Sequence, residues 1–181
     1  MDEKIIVAGF GGQGVMAIGK LVAYAGMLEN KQVSWLPSYG PEMRGGTANC
    51  DVIVSDRLIG SPVVTEDANT AIVMNLPSLE KFESHIVKGG NIFVNKSLIE
   101  KKAKRDDINA YYIPANEIAQ DLGNPKVANM VMLGAYIEIT KIIKPETIID
   151  AFTKVFGEDK APLIPLNEDA LKKGAEYVKE K

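Results

Sequence analysis

The sequence has one cysteine, Cys50, and one histidine, His85, in 181 residues. A single thiol cannot form an internal disulfide, and the pair cannot supply a four-ligand zinc site or the roughly four thiolates of an iron–sulfur cluster. Any redox metal must therefore sit in a partner, and the scarcity of cysteine fits a reducing cytoplasm. The chain also lacks a basic excess: 21 Lys and Arg against 24 Asp and Glu give a net charge of -3. Bulk attraction to nucleic acid or to an anionic membrane is not expected. The longest apolar run, residues 130–137, is far shorter than the roughly 20 residues of a membrane-spanning helix. Asp2 and Glu3 stand where an export signal would carry basic residues, so a cytoplasmic protein is expected.

What is present is ordinary globular composition, with 46% hydrophobic and 25% charged residues. A chain of this length has room for one domain, residues 1–181, burying roughly two thirds of its unfolded surface. Residues 4–8 are apolar in succession, as in a strand covered on both faces. Val15, Ile18, Val22 and Ala25 then follow helical spacing towards Glu29 and Asn30, and a second strand is expected over 32–36. This is the order of a βαβ unit. Residues 37–47 read as a Pro- and Gly-rich loop and 47–55 as an alternating strand, with Ala48, Cys50, Val52 and Val54 on one face and Asn49, Asp51 and Ser55 on the other.

Further strands are expected at 70–74, 91–95 and 110–114, with a turn at Gly89-Gly90 and a helix from Pro77 to Ile86. The charged run 100–107 reads as a solvated helix end, and helices are expected over 116–122, 127–142, 145–156 and 168–179. The pattern predicts an α/β fold, a three-layer α/β/α arrangement with a mainly parallel, Rossmann-like sheet and C-terminal helices.

Between the first strand and helix lies Gly-Phe-Gly-Gly-Gln-Gly, residues 9–14. Gly9, Gly11 and Gly14 fit G-x-G-x-x-G, and backbone N–H groups at the following helix could meet a phosphate that no Cβ obstructs. The dinucleotide fingerprint also wants an acid at the end of the second strand, where this chain has Ser34, Trp35, Leu36 and Pro37. A Walker A lysine is missing too. The turn is thus open to three readings: a bare structural bend, a dinucleotide site, or a cradle for another phosphate ligand.

The second loop, residues 38–46, sets Tyr39, Glu42 and Arg44 among Gly40, Pro41, Gly45 and Gly46. Arg44 offers a planar donor fork for phosphate or carboxylate, and Glu42 could orient it; an Arg/Glu pair bracing a loop or subunit contact is the alternative. With both loops and residues 49–55, the chain resembles the gamma subunit, or equivalent domain, of the 2-oxoacid:ferredoxin oxidoreductases. The resemblance runs over nearly the whole length, with few distinctive residues in the C-terminal half.

The resemblance implies a non-catalytic gamma subunit in an oxidoreductase complex that converts a 2-oxoacid and coenzyme A to acyl-coenzyme A, CO2 and reduced ferredoxin. It implies alpha, beta and delta (ferredoxin-like) partner subunits, with thiamine diphosphate, magnesium and the iron–sulfur clusters in those partners. Gly11, Gly12, Gln13 and Gly14 become candidates to face the coenzyme A pyrophosphate, with Tyr39, Glu42 and Arg44 shaping the adjacent wall. No residue is assigned to proton transfer and none to a metal. Overall resemblance favours 2-oxoglutarate or branched-chain acids as substrate. The alternative is a free-standing nucleotide- or flavin-binding oxidoreductase using the same turn.

Five other residues are expected to carry no chemistry. Cys50 reads as a small buried hydrophobe, His85 as a solvent-side helix terminus, and Met130, Met132 and Leu133 as core of a long helix.

Overall fold

The computed structural model describes residues 2–38 and 47–180. The elements run β1 (Asp2–Phe10), α1 (Val15–Leu28), β2 (Gln32–Ser38), β3 (Thr47–Ser55), β4 (Ala68–Val73), α2 (Leu76–Phe82), β5 (Ile86–Asn95), β6 (Asn109–Ile113), α3 (Ala115–Asp121), α4 (Ala128–Thr140), α5 (Pro145–Phe156) and α6 (Ile164–Lys179). No helix among the described residues is long and apolar enough to cross a membrane.

The six strands form one sheet in the order β2-β3-β1-β4-β5-β6. β1, β4, β5 and β6 run parallel, whereas β3 is antiparallel to both β1 and β2. The first strand, helix and second strand keep the sense of a βαβ unit, but β3 lies between the two strands. The period-two alternation of the strands sends Ile5, Val7, Cys50, Val52, Ile72 and Phe93 to one face. Ile6, Ala8, Ile53, Ala71, Val73 and Ile92 go to the other. Helices α1, α3, α4, α5 and α6 cover the first face, while α2 and the irregular segments carrying Val64, Ile99 and Ile108 cover the second.

Helix α4 is buried from Ala128 to Ile137, including Met130, Met132 and Leu133, which explains its unbroken apolar sequence. It lies against α6 at two glycines. A Cβ on Gly134 would collide with the Leu171 carbonyl, and one on Gly174 with that of Val131.

Three sequence expectations are corrected. Pro37 and Ser38 continue β2 instead of opening the loop, with Pro37 paired opposite Cys50; β2 is an edge strand, where a missing N–H is tolerated. Gly89 and Gly90 lie inside a longer β5, at a register shift against β4, not in a turn before it. Residues 100–107 form no helix. The buried Glu83 carboxylate accepts from the backbone N–H of Lys104 and Arg105, and the Arg105 guanidinium makes two 2.7 Å bonds to Asp107. Side-chain acceptors thus take backbone donors that a helix would have used.

Cys50 is fully buried in the core, and burial pushes its thiol up to about 12. His85 ends a single 3-10 turn, Glu83–His85, half-buried edge-on against Phe82, with Nδ1 2.9 Å from the Thr65 carbonyl.

Candidate functional site at the carboxyl edge of the sheet

β1 and β4 are adjacent and parallel, yet α1 leaves β1 on one face and α2 leaves β4 on the other. Such a divergence opens a crevice at the carboxyl ends of the strands, where doubly wound sheets bind ligands. The glycine turn occupies that crevice. Gln13 N–H donates to the Phe10 carbonyl at 3.2 Å, closing a tight turn. Its side chain closes the turn again: Oε1 accepts from Phe10 N–H at 2.6 Å and Nε2 donates to the Met74 carbonyl at 3.1 Å. Gln13 therefore points inward and fastens β1 to β4.

Gly11, Gly12 and Gly14 remain, and among the described residues nothing accepts from their N–H groups. Gly12 has φ 90°, a conformation that disfavours side chains, and a Cβ placed there would meet nothing within 4 Å. It stands open to solvent for a reason of conformation, not of crowding. Gly14, at φ 76°, caps α1. A Cβ on it would lie 2.5 Å from Asn129 Nδ2, so α4 is packed directly against the turn.

Two clefts flank the turn. One, of about 210 Å³, runs from Gly12 and Gln13 past Met74, Leu98 and Asn116 to Lys126 and Asn129. The other, of about 300 Å³, lies along Phe10, Gly11, Gly14, Met16 and Ala48. No carboxylate lines either cleft among the described residues. The amino ends of α1 and α4 bring partial positive charge to the first cleft, and exposed Lys126 adds a full one.

Lys126 is set by an Asx turn in which Asn124 Oδ1 accepts its backbone N–H at 3.0 Å. Asn129 is only 9% exposed, so its amide is preset beside Gly14. The far wall is tied by Asn95, whose Nδ2 donates to Asn116 Oδ1 at 2.8 Å. Neither Lys126 nor Asn129 stands out in the sequence by motif. The signal was Asn124-Pro125 before a helical run, a helix start that brings its first turn to this edge.

Tyr39, Glu42 and Arg44 lie outside the described residues. The strands on either side of them end at Ser38 and begin at Thr47, and Ala48 lines the second cleft. The insertion of β3 also bears on the dinucleotide reading. A ribose-binding acid sits on the strand next to β1, but here the neighbour is an antiparallel β3 and the end of β2 carries Leu36, Pro37 and Ser38.

The arrangement defines an α/β protein with an open glycine turn between two clefts at the carboxyl edge of its sheet. Residues 4–177 match the family model described as pyruvate ferredoxin/flavodoxin oxidoreductase, and the chain belongs to that family. It is 35% identical over 180 residues to the ketoisovalerate oxidoreductase subunit VorA of Methanothermobacter marburgensis, covering 98% of this chain and 37% of that subunit. The chain thus spans little more than a third of the length of that relative. It is 34% identical over 187 residues to the 2-oxoglutarate synthase subunit KorC of Methanocaldococcus jannaschii, covering 99% of this chain and 96% of that one.

Among solved structures, the keto/oxoacid ferredoxin oxidoreductase gamma subunit of Geobacter sulfurreducens superposes with a TM-score of 0.83 at 26% identity over 99% of both chains. A 2-oxoglutarate:ferredoxin oxidoreductase of Magnetococcus marinus, solved with 2-oxoglutarate, coenzyme A and succinyl-CoA, shares the fold. Its TM-score is 0.89 at 24% identity, over 99% of this chain and 31% of that one.

Proposed function

We propose that this chain, as one gamma domain over residues 1–181, is a non-catalytic subunit of a cytoplasmic 2-oxoacid:ferredoxin oxidoreductase. In that complex a 2-oxoacid and coenzyme A give acyl-coenzyme A, CO2 and reduced ferredoxin. Alpha, beta and delta partners carry thiamine diphosphate, magnesium and the iron–sulfur clusters; for a cluster, one cysteine supplies too few thiolates here.

The observation that carries the site reading is the open Gly12 between two clefts that no carboxylate lines among the described residues, one of them beside Lys126. A pyrophosphate there would take the N–H groups of Gly11, Gly12 and Gly14, the ammonium of Lys126 and the amide of Asn129. Gln13 contributes as the brace that keeps the turn in shape. Tyr39, Glu42 and Arg44 are assigned the adjacent wall of the coenzyme A site. The chain's part in catalysis is to position coenzyme A and exclude water, not to move protons.

Two measurements test this. Affinity capture of the chain from its host under anaerobic conditions should bring down larger subunits with coenzyme A-dependent viologen reduction on a 2-oxoacid. A chain that elutes alone with a bound flavin or dinucleotide would overturn the assignment. Separately, coenzyme A should shift the backbone amide signals of Gly12, Lys126 and Asn129 in the purified chain, and signals that stay still at saturating ligand would remove the cradle.

A further inference from the structure

We propose that a third cleft, behind the glycine turn, binds a small carboxylic acid with an apolar body. This site does not depend on the coenzyme A reading. It lies where the 3-10 turn Glu158–Leu163 passes between α5 and α6, and it encloses about 280 Å³. Its floor is apolar: Met130 of α4, Phe152 and Phe156 of α5, and Leu166 of α6, with the two rings 4.7 Å apart.

The rim has one sign of charge. Lys126 stands at one end and Lys160 at the other, and no acidic residue lines the cleft among the described residues. Lys160 does touch the neighbouring Asp159 at 3.1 Å, but both are exposed. Such a pair contributes little and leaves the ammonium further donors for a ligand. An aromatic and aliphatic floor beneath two cations is complementary to an anion with a hydrocarbon tail. Two lysines on a flat surface without an apolar floor would suit a free phosphate instead.

Size selects a small molecule over a peptide. The volume equals about nine water-sized volumes at ~30 Å³ each, enough for one aryl or branched-chain acid and near the lower limit of ligand pockets. A polypeptide segment would leave all but one of its side chains outside. Lys126 and Asn129 form the common wall of this cleft and the one beside Gly12. An acid held here would therefore touch the same two residues that face the glycine turn, which makes it a candidate regulator of that site.

The test is titration of the full chain with 4-phenylbutyrate, its uncharged amide and acetate, followed by calorimetry and backbone amide spectra. The acid should bind about fivefold more tightly than the amide, with shifts at Phe156, Leu163 and Asn167, and acetate should not bind. Two surface variants sharpen it. Lys160→Gln should remove most of the preference for acid over amide. Leu163→Glu, which puts a negative charge on a residue already 45% exposed, should weaken the acid at least fivefold and the amide little. Inorganic phosphate, which has no apolar body, should leave Leu163 unmoved, and a shift there equal to that of the acid would overturn the proposal. Equal affinity for acid and amide, or no shift at Leu163 at about 10 mM probe, would overturn the proposal. So would a face that a partner subunit covers while the probe leaves it untouched.

Discussion

The glycines of the turn and those of the α4/α6 crossing are the same residue used for opposite reasons. At Gly134 and Gly174 the backbone is helical and the obstacle is a neighbouring carbonyl, so the missing side chain is filled by protein. At Gly12 nothing lies within 4 Å and the obstacle is the positive φ itself, so the missing side chain leaves room. At the helix crossing the absent side chain serves packing, whereas at Gly12 it leaves the backbone open from solvent.

The contrast is strongest in the effect of adding one methyl group. Gly134→Ala should cost about 3 kcal/mol or more, because two helix backbones must part to admit a Cβ. Urea denaturation measures it, and a loss below about 1 kcal/mol would mean the crossing is looser than described. Gly12→Ala should cost only ~1 kcal/mol of backbone strain. It should nonetheless weaken coenzyme A binding about tenfold, or ~1.4 kcal/mol. If Gly12→Ala destabilised the chain as much as Gly134→Ala, the division between packing and site would fail.

Lys126→Gln carries the comparison from shape to charge. In the assembled complex it should raise the apparent Michaelis constant for coenzyme A about fivefold and leave kcat unchanged, since it removes binding shared by ground and transition states. The effect should shrink at high ionic strength, and a salt-independent loss would argue for a structural role.

The smallest effect lies at the opposite end of β1. Glu3 is 8% exposed, accepts from Thr70 Oγ1 at 2.7 Å, and burial raises its carboxyl above the usual range. In the unfolded chain the carboxyl ionises near pH 4.5, while the folded chain holds the proton longer. Its contribution is therefore fully present below that pH and is lost as pH rises through the folded value. Glu3→Gln should raise stability by up to about 1 kcal/mol at pH 7 and change it little at pH 4. Thermal denaturation at the two pH values checks this, and a variant destabilised equally at both would show that the carboxylate is better solvated than it appears.

Much of the fold was legible because local pattern and packing agreed. The alternation of residues 47–55 marks β3 to the residue, and Pro145 opening an amphipathic run marks α5. Reading failed where partners distant in sequence decide. Nothing in 37–55 reveals that β3 folds back between β1 and β2, since antiparallel and parallel neighbours present the same alternation. Nothing in 100–107 shows that a carboxylate 21 residues earlier takes the Lys104 N–H. For the site, the glycines were visible as a motif because the turn is local. Lys126 and Asn129 were not, because they reach the crevice only when α4 docks on Gly14.

The double fastening of Gln13 has a further consequence. A glycine-rich turn would ordinarily lose considerable conformational entropy on gripping an anion. Here the amide that joins Phe10 to Met74 freezes the turn during folding, before any ligand arrives. The ordering cost then falls on the stability of the free protein, and the contacts of the proposed ligand would go into affinity and alignment. If the turn is the proposed cradle, it is assembled in advance and ready at the first encounter, so differences in affinity among related ligands should appear in how slowly they leave.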